Sequence, residues 1–247
     1  MKVVQRLIFV GLFLLVSIGQ AVAQDATATP ASPIVKVTAS DGQVLVGDYI
    51  PATGQGDHPA VLLMHMYQSI RQSWKDFVPE LTKAGYNVLN VDLRGHGATG
   101  GPMNWSASVT DVQTWLDWLR AQPNVRASGV SIIGASVGSN LAIIGCANDK
   151  QCATVIALSP GANYFDLQPN DFIVKGLRDR SALLVASQKD EPSISGVKQF
   201  TATAQGEIGV QLFAGNLHGT AILNSPVFKK RLTAMMINWL NDHTPKV

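Results

Sequence analysis

Residues 60–66, Ala-Val-Leu-Leu-Met-His-Met, narrow the fold more than any other stretch of this chain. A run this continuously apolar, with one interrupting His, suits a strand buried on both faces. Such strands lie in parallel sheets, which need helical crossovers between them. The rest of the chain supplies them. Trp74, Phe77, Val78 and Leu81 follow at helix spacing, and Gly85 predicts the stop. A strand over 86–91 and a glycine-rich loop, Asp92-Leu93-Arg94-Gly95-His96-Gly97, come next. Ser108, paired with Asp111 in a capping-box pattern, predicts the start of a helix striped by Val112, Trp115, Leu116 and Leu119. Further strands are expected over 130–133, 155–158, 182–186 and 210–213, with a helix over 137–144. Ser225 as cap and Pro226 in the first turn predict a last helix that buries Phe228, Leu232, Met235, Met236 and Trp239. Upstream, 34–39 and 44–50 flank Asp41-Gly42, a hairpin signal.

The expectation is therefore an α/β fold: a mainly parallel twisted sheet of about eight strands, helices on both faces. Between the strands near 158 and 182, residues 160–180 have room for one short helix, near 171–177, and none for a large cap domain. Ligands of such sheets bind beyond the carboxyl ends of the strands, so functional residues are expected just after strands.

The N-terminus reads differently. Lys2 and Arg6 precede an apolar run over 7–18, and Ala21-Val22-Ala23 is a small-x-small cleavage pattern. Residues 1–23 are expected to be a signal peptide, 24–33 an Ala/Thr/Pro/Ser leader, and 34–247 one domain. Location would be secreted or periplasmic, without stable membrane insertion after cleavage; an uncleaved anchor is the rival. Lys2 and Arg6 account for the whole formal excess of +2, so the remainder has no net charge. That balance argues against nucleic-acid binding, which needs a basic patch. In an exported chain Cys146 and Cys152 are expected to pair, since Asn148-Asp149-Lys150 forms a turn between them. Their spacing does not suit a zinc site.

The chemistry centres on Gly134-Ala135-Ser136-Val137-Gly138, which joins a predicted strand to a predicted helix. This is the pattern of a nucleophile elbow, whose tight turn needs small neighbours. Ser is a weak nucleophile and needs a base. His218, in a loop five residues beyond the strand ending at Phe213, is the candidate. His58 and His243 are placed less well, and His96 is expected to fix its own loop. Asp190, four residues after the strand ending at Ala186, is the candidate acid, with adjacent Glu191 as runner-up and Asp166 and Asp171 weaker. The order Ser136, Asp190, His218 is the one such folds use.

With these residues in view, the chain resembles the α/β-hydrolase superfamily, and within it the small dienelactone-hydrolase-like and serine esterase members, from Val44 to Trp239. The resemblance implies that His65-Met66-Tyr67 is the oxyanion loop, with the backbone N–H groups of Tyr67 and Val137 as donors. Met66 stands where relatives often carry Gly. Asp92 to Gly97 is similar to the family's D-x-R-G-x-G loop. Dienelactone hydrolases use Cys where this chain has Ser136, so their substrate does not carry over. Met66, Gln68 and Tyr164 are candidate substrate contacts, Trp105 is a further pocket aromatic, and His65 is expected to organise its loop. The implied activity is hydrolysis of a small-molecule ester through an acyl-enzyme, with no metal and no cofactor. Amide or thioester hydrolysis, acyl transfer and a non-catalytic binding role are the alternatives.

Overall fold

The computed structural model describes residues 34–245; the signal and leader expected over 1–33 lie outside the described residues. Eight strands form one sheet in the order β1-β2-β4-β3-β5-β6-β7-β8. β1 (Ile34–Thr38) and β2 (Val44–Ile50) make the antiparallel hairpin signalled by Asp41-Gly42, and β2 also pairs antiparallel with β4 (Asn87–Asp92). β3 (His58–Met64), β5 (Val125–Ala135), β6 (Cys152–Leu158), β7 (Ser181–Ser187) and β8 (Ile208–Phe213) run parallel to β4.

The pleat divides the apolar residues between two cores. Leu62 and Met64 of β3 pack with α2 (Trp105–Arg120), α3 (Val137–Asn148) and α5 (Glu191–Thr203), through Val112, Leu116, Leu141 and Phe200. Val61 and Leu63 pack with α1 (Val78–Lys83), α6 (Thr220–Leu223) and α7 (Lys229–His243), through Leu81, Ile222, Leu232 and Met236. A sheet covered on both faces explains why β3 and β7 carry apolar runs with no alternation of polar residues.

Helix starts depart from expectation. The 74–81 segment divides into a 3-10 turn, Arg71–Trp74, and α1, because Pro79 lacks an N–H and fits only a first turn. α2 starts at Trp105, not Ser108: Asn104 Oδ1 accepts from Ala107 N–H at 3.0 Å, and Ser108 lies one turn inside. α7 starts at Lys229; Ser225 does not cap it, but its carbonyl accepts from Phe228 and Lys229 in the preceding turn.

Between β6 and β7 the chain has one short helix, α4 (Asn170–Phe172), continued as π-helix over Ile173–Leu177. No cap domain covers the carboxyl edge of the sheet among the described residues. Cys146 and Cys152 form a disulfide joining the end of α3 to the start of β6. No helix among the described residues is long and apolar enough to cross a membrane.

Candidate active site

Ser136 sits between β5 and α3 with φ +53° and ψ −123°. A side chain rarely adopts this conformation, and here packing enforces it. A Cβ on Gly134 would lie 2.0 Å from the Gly138 carbonyl oxygen, and one on Gly138 2.5 Å from that of His65. Only hydrogen fits at either position. The Ser136 N–H is held by the Leu158 carbonyl at 2.8 Å. The hydroxyl therefore stands above the sheet at the N-terminus of α3.

His218 Nε2 lies 2.7 Å from Ser136 Oγ, and His218 Nδ1 lies 2.8 Å from Asp190 Oδ2. A carboxylate only accepts, so Nδ1 carries the proton and Nε2 is free to accept from the hydroxyl. Asp190 is buried, and its Oδ2 also accepts from Ser193 Oγ–H at 2.6 Å. Glu191, the alternative acid, is exposed in the first turn of α5. The His218 loop is pinned on both sides. The Gly219 N–H donates to Ser159 Oγ at 2.8 Å, and Ser187 Oγ–H donates to the Leu217 carbonyl at 2.6 Å. Ser159 and Ser187 are fully buried, at the ends of β6 and β7.

The loop after β3 is organised by two histidines. His65 Nε2 accepts from the Leu93 N–H at 2.9 Å, so its Nδ1–H donates to the Met66 carbonyl at 2.7 Å. Burial pushes His65 down from 6.5 to about 4, which keeps the ring neutral and this tautomer fixed. His96 Nδ1 meets the Arg94 carbonyl at 3.0 Å and its Nε2 accepts from the Gln68 N–H at 3.3 Å. Both rings hold backbone, as expected. Asp92, fully buried, accepts from the Arg71 and Ala98 N–H groups, each at 2.8 Å, and from the Arg71 guanidinium.

The remaining expected residues divide. Among the described residues, the N–H groups of Tyr67 and Val137 donate to no backbone or side-chain acceptor. The Met66 side chain is half-buried beneath the His218 loop, its sulfur 3.8 Å from Thr220 Oγ1. Gln68 is exposed, with φ +55°. The Tyr67 ring is not core: it is 36% exposed and lies against His96, Trp105 and Phe165. The Tyr164 ring stands edge-on to that of His218, with centroids 6.2 Å apart, and its hydroxyl lies 3.4 Å from Ser193 Oγ. Burial pushes that phenol up, so it stays a donor.

Sequence reasoning missed Ser159, Ser187, Ser193 and Asn140. A signal existed for the first two, as serines ending apolar strand runs. Ser193 and Asn140 act through partners distant in sequence or across a helix turn.

An eight-stranded, mostly parallel sheet with a serine elbow at its carboxyl edge defines an α/β hydrolase. The model of the X-Pro dipeptidyl-peptidase (S15) family matches residues 41–244, and the chain belongs to that serine-hydrolase family. Uncharacterised protein Rv2307c of Mycobacterium tuberculosis is 30% identical over 131 residues, 53% of this chain and 46% of that protein. The chain thus spans about half the length of the curated relatives it matches. Among solved structures, the Pyrococcus furiosus esterase Pf2001 superposes with a TM-score of 0.72 at 20% identity, covering 87% of this chain and 94% of the esterase. The dienelactone hydrolase of Anabaena variabilis gives 0.71 at 17%, covering 87% and 99%. The expected resemblance to α/β hydrolases holds; at these identities the likeness to esterase and dienelactone hydrolase is one of fold.

Proposed function

We propose that the protein is an exported carboxylic-ester hydrolase with Ser136 as nucleophile, His218 as general base and Asp190 as its orienting acid. The observation that carries this is the unbroken chain Ser136–His218–Asp190, with hydrogen bonds of 2.7 and 2.8 Å. Ser136 Oγ attacks the ester carbonyl carbon as its proton passes to His218 Nε2. Asp190 stabilises the imidazolium. The carbonyl oxygen becomes an oxyanion and accepts from the N–H groups of Val137 and Tyr67. Each such donor contributes about 3 kcal/mol to the transition state where it has been measured. His218 then protonates the departing alkoxide, leaving the acyl group on Ser136. In the second half His218 takes a proton from water, hydroxide adds to the acyl carbon, and collapse returns the proton to Ser136 with release of the acid.

The fold likeness to esterases supports an ester substrate. The S15 match supports a second reading, release of an X-Pro dipeptide, in which His218 protonates an amine instead. Hydrolysis of p-nitrophenyl acetate compared with that of Ala-Pro-p-nitroanilide separates the two. The ester reading expects kcat/KM at least about 100-fold higher for the ester, and Ser136→Ala inactive on both. A preference for the anilide overturns it. With no cap domain among the described residues, small or flexible esters are expected to exceed acyl chains above about twelve carbons, with no rise in rate at a lipid interface.

Export rests on the basic, apolar and small-x-small order of residues 1–23 and agrees with a disulfide, which persists in oxidising compartments. The mass of the exported protein is expected to correspond to a chain beginning at Gln24.

A further inference from the structure

Against Tyr67, in the loop after β3, lies a group of aromatic rings that the chemistry above does not use. Phe165 stacks on Trp105, with centroids 5.0 Å apart and planes at 20°, and meets the edge of Tyr67 at 5.1 Å. Phe165 leaves 48% of its surface exposed and Tyr67 36%. Next to the stacked pair runs a groove of about 510 Å³, with Val109, Ile144 and Phe172 also in its walls.

The backbone under Phe165 is strained. Phe165 and Asp166 have φ of +52° and +66°. They are the central residues of a tight turn closed by Tyr164 and Leu167, whose N–H groups bond each other's carbonyls at 3.2 and 2.9 Å. Turns of this hand are ordinarily built from Gly, Asn or Asp, and a bulky ring in this conformation is an outlier. What sustains it is Asn140, fully buried one turn into α3 from Ser136. Its Nδ2 donates to the carbonyls of Gly161 and Leu167, both at 2.9 Å, and its Oδ1 accepts from the Gly161 N–H at 3.1 Å. The nucleophile helix thus holds the aromatic turn in a fixed place. Tyr164, at the base of the turn, touches His218, and Tyr67 offers one face to the cluster and its N–H to the oxyanion position. Two residues thus link the ring cluster to the reacting centre: Tyr67 through the loop after β3, and Tyr164 through its ring beside His218.

We propose that Trp105, Phe165 and the groove beside them form a subsite for a planar aryl portion of the substrate whose carbonyl is seated at Ser136, an inference that rests on the ester-hydrolase reading. Strain retained against relief by bonds from the nucleophile helix is characteristic of a functional position. Ring faces and edges offered at stacked and edge-on angles attract another ring beyond the area it buries, which a saturated group does not share. A rigid planar group also reaches an uncapped groove with little entropy to lose.

The test compares 2-naphthyl acetate and methyl 2-naphthoate with their decahydronaphthyl counterparts. It is run on the purified protein and on Phe165→Ala, Phe165→Leu, Trp105→Ala and Asp166→Asn. In at least one of the two arrangements the aryl ester is expected to show a KM about ten-fold below its saturated partner. Phe165→Leu, which keeps apolar bulk without a ring, and both alanine variants are expected to bring that ratio near one, while Asp166→Asn preserves it. Calorimetry of 2-naphthol with the Ser136→Ala protein reads the subsite without turnover, and Phe165→Leu in that background is expected to weaken binding about ten-fold. A wild-type ratio near one overturns the proposal, as does a ratio that survives Phe165→Leu. So does a preference for a choline ester that Asp166→Asn removes. Ester turnover that survives Ser136→Ala would instead sink the hydrolase reading, a separate result.

Discussion

At the scale of single residues, the three side chains at the site divide the work unequally, and their substitutions should show it. In the proposed mechanism His218 transfers the proton, and Asp190 fixes its tautomer through the 2.8 Å bond to Nδ1. His218→Ala is expected to lower kcat by about 10⁶-fold and Asp190→Asn by about 10⁴-fold, by analogy with measured serine hydrolases. Glu191→Gln should leave kcat within about two-fold, since Glu191 is exposed; a dead Glu191→Gln beside an active Asp190→Asn would move the acid by one residue. His65 makes a different contribution. It is buried and neutral, driven down from 6.5 to about 4. Between those pH values the unfolded chain binds the proton that the folded chain refuses. Stability from this group is therefore complete above 6.5 and is lost as pH falls toward 4, about 3 kcal/mol in all. Melting temperatures from pH 7 to 4 should fall less steeply in His65→Gln than in the wild type. Equal slopes would mean that other groups govern acid unfolding.

At the scale of elements, α3 carries the site at one end and the disulfide at the other. Its last carbonyls are not left bare. The Arg180 guanidinium donates to the carbonyls of Cys146 at 2.6 Å, Ala147 at 3.3 Å and Asp149 at 2.7 Å, and to those of Gly176 at 2.6 Å and Cys152 at 3.2 Å. Arg180→Leu strips this cap and is expected to cost about 3 kcal/mol in urea unfolding, since each orphaned buried carbonyl costs about 1–3 kcal/mol. A loss under about 1 kcal/mol would show that water replaces the guanidinium without penalty. Neither Arg180 nor Asn140 was legible in the sequence. Their partners lie up to 34 residues away, and no periodicity records a side chain that reaches across loops. Strands were legible because burial on both faces leaves an uninterrupted apolar run, as in β3 and β7. Helix starts were not, because candidate caps lay within four residues of one another: Asn104, not Ser108, took the role at α2. α5 and α6, short or weakly patterned, were not anticipated. Ser136, His218 and Asp190 were legible for a topological reason: in a parallel sheet all strands that share a direction release their next residues at one edge.

At the scale of the whole molecule, two cores clamp one sheet, and the candidate site lies on its carboxyl edge, which no cap domain covers among the described residues. That layout leaves the His218 side chain 36% exposed next to the buried Ser136, and the account predicts that a small reagent enters through the His218 side. The central claim is that Ser136 is activated by His218 and can be acylated. Incubation with a fluorophosphonate, followed by intact mass and peptide mapping, tests it without any assumption about the natural substrate. The account predicts one adduct per chain, carried on Ser136, formed at least about 1,000-fold more slowly in His218→Ala. Folded wild-type protein that stays unlabelled, or an adduct on another residue, would contradict it.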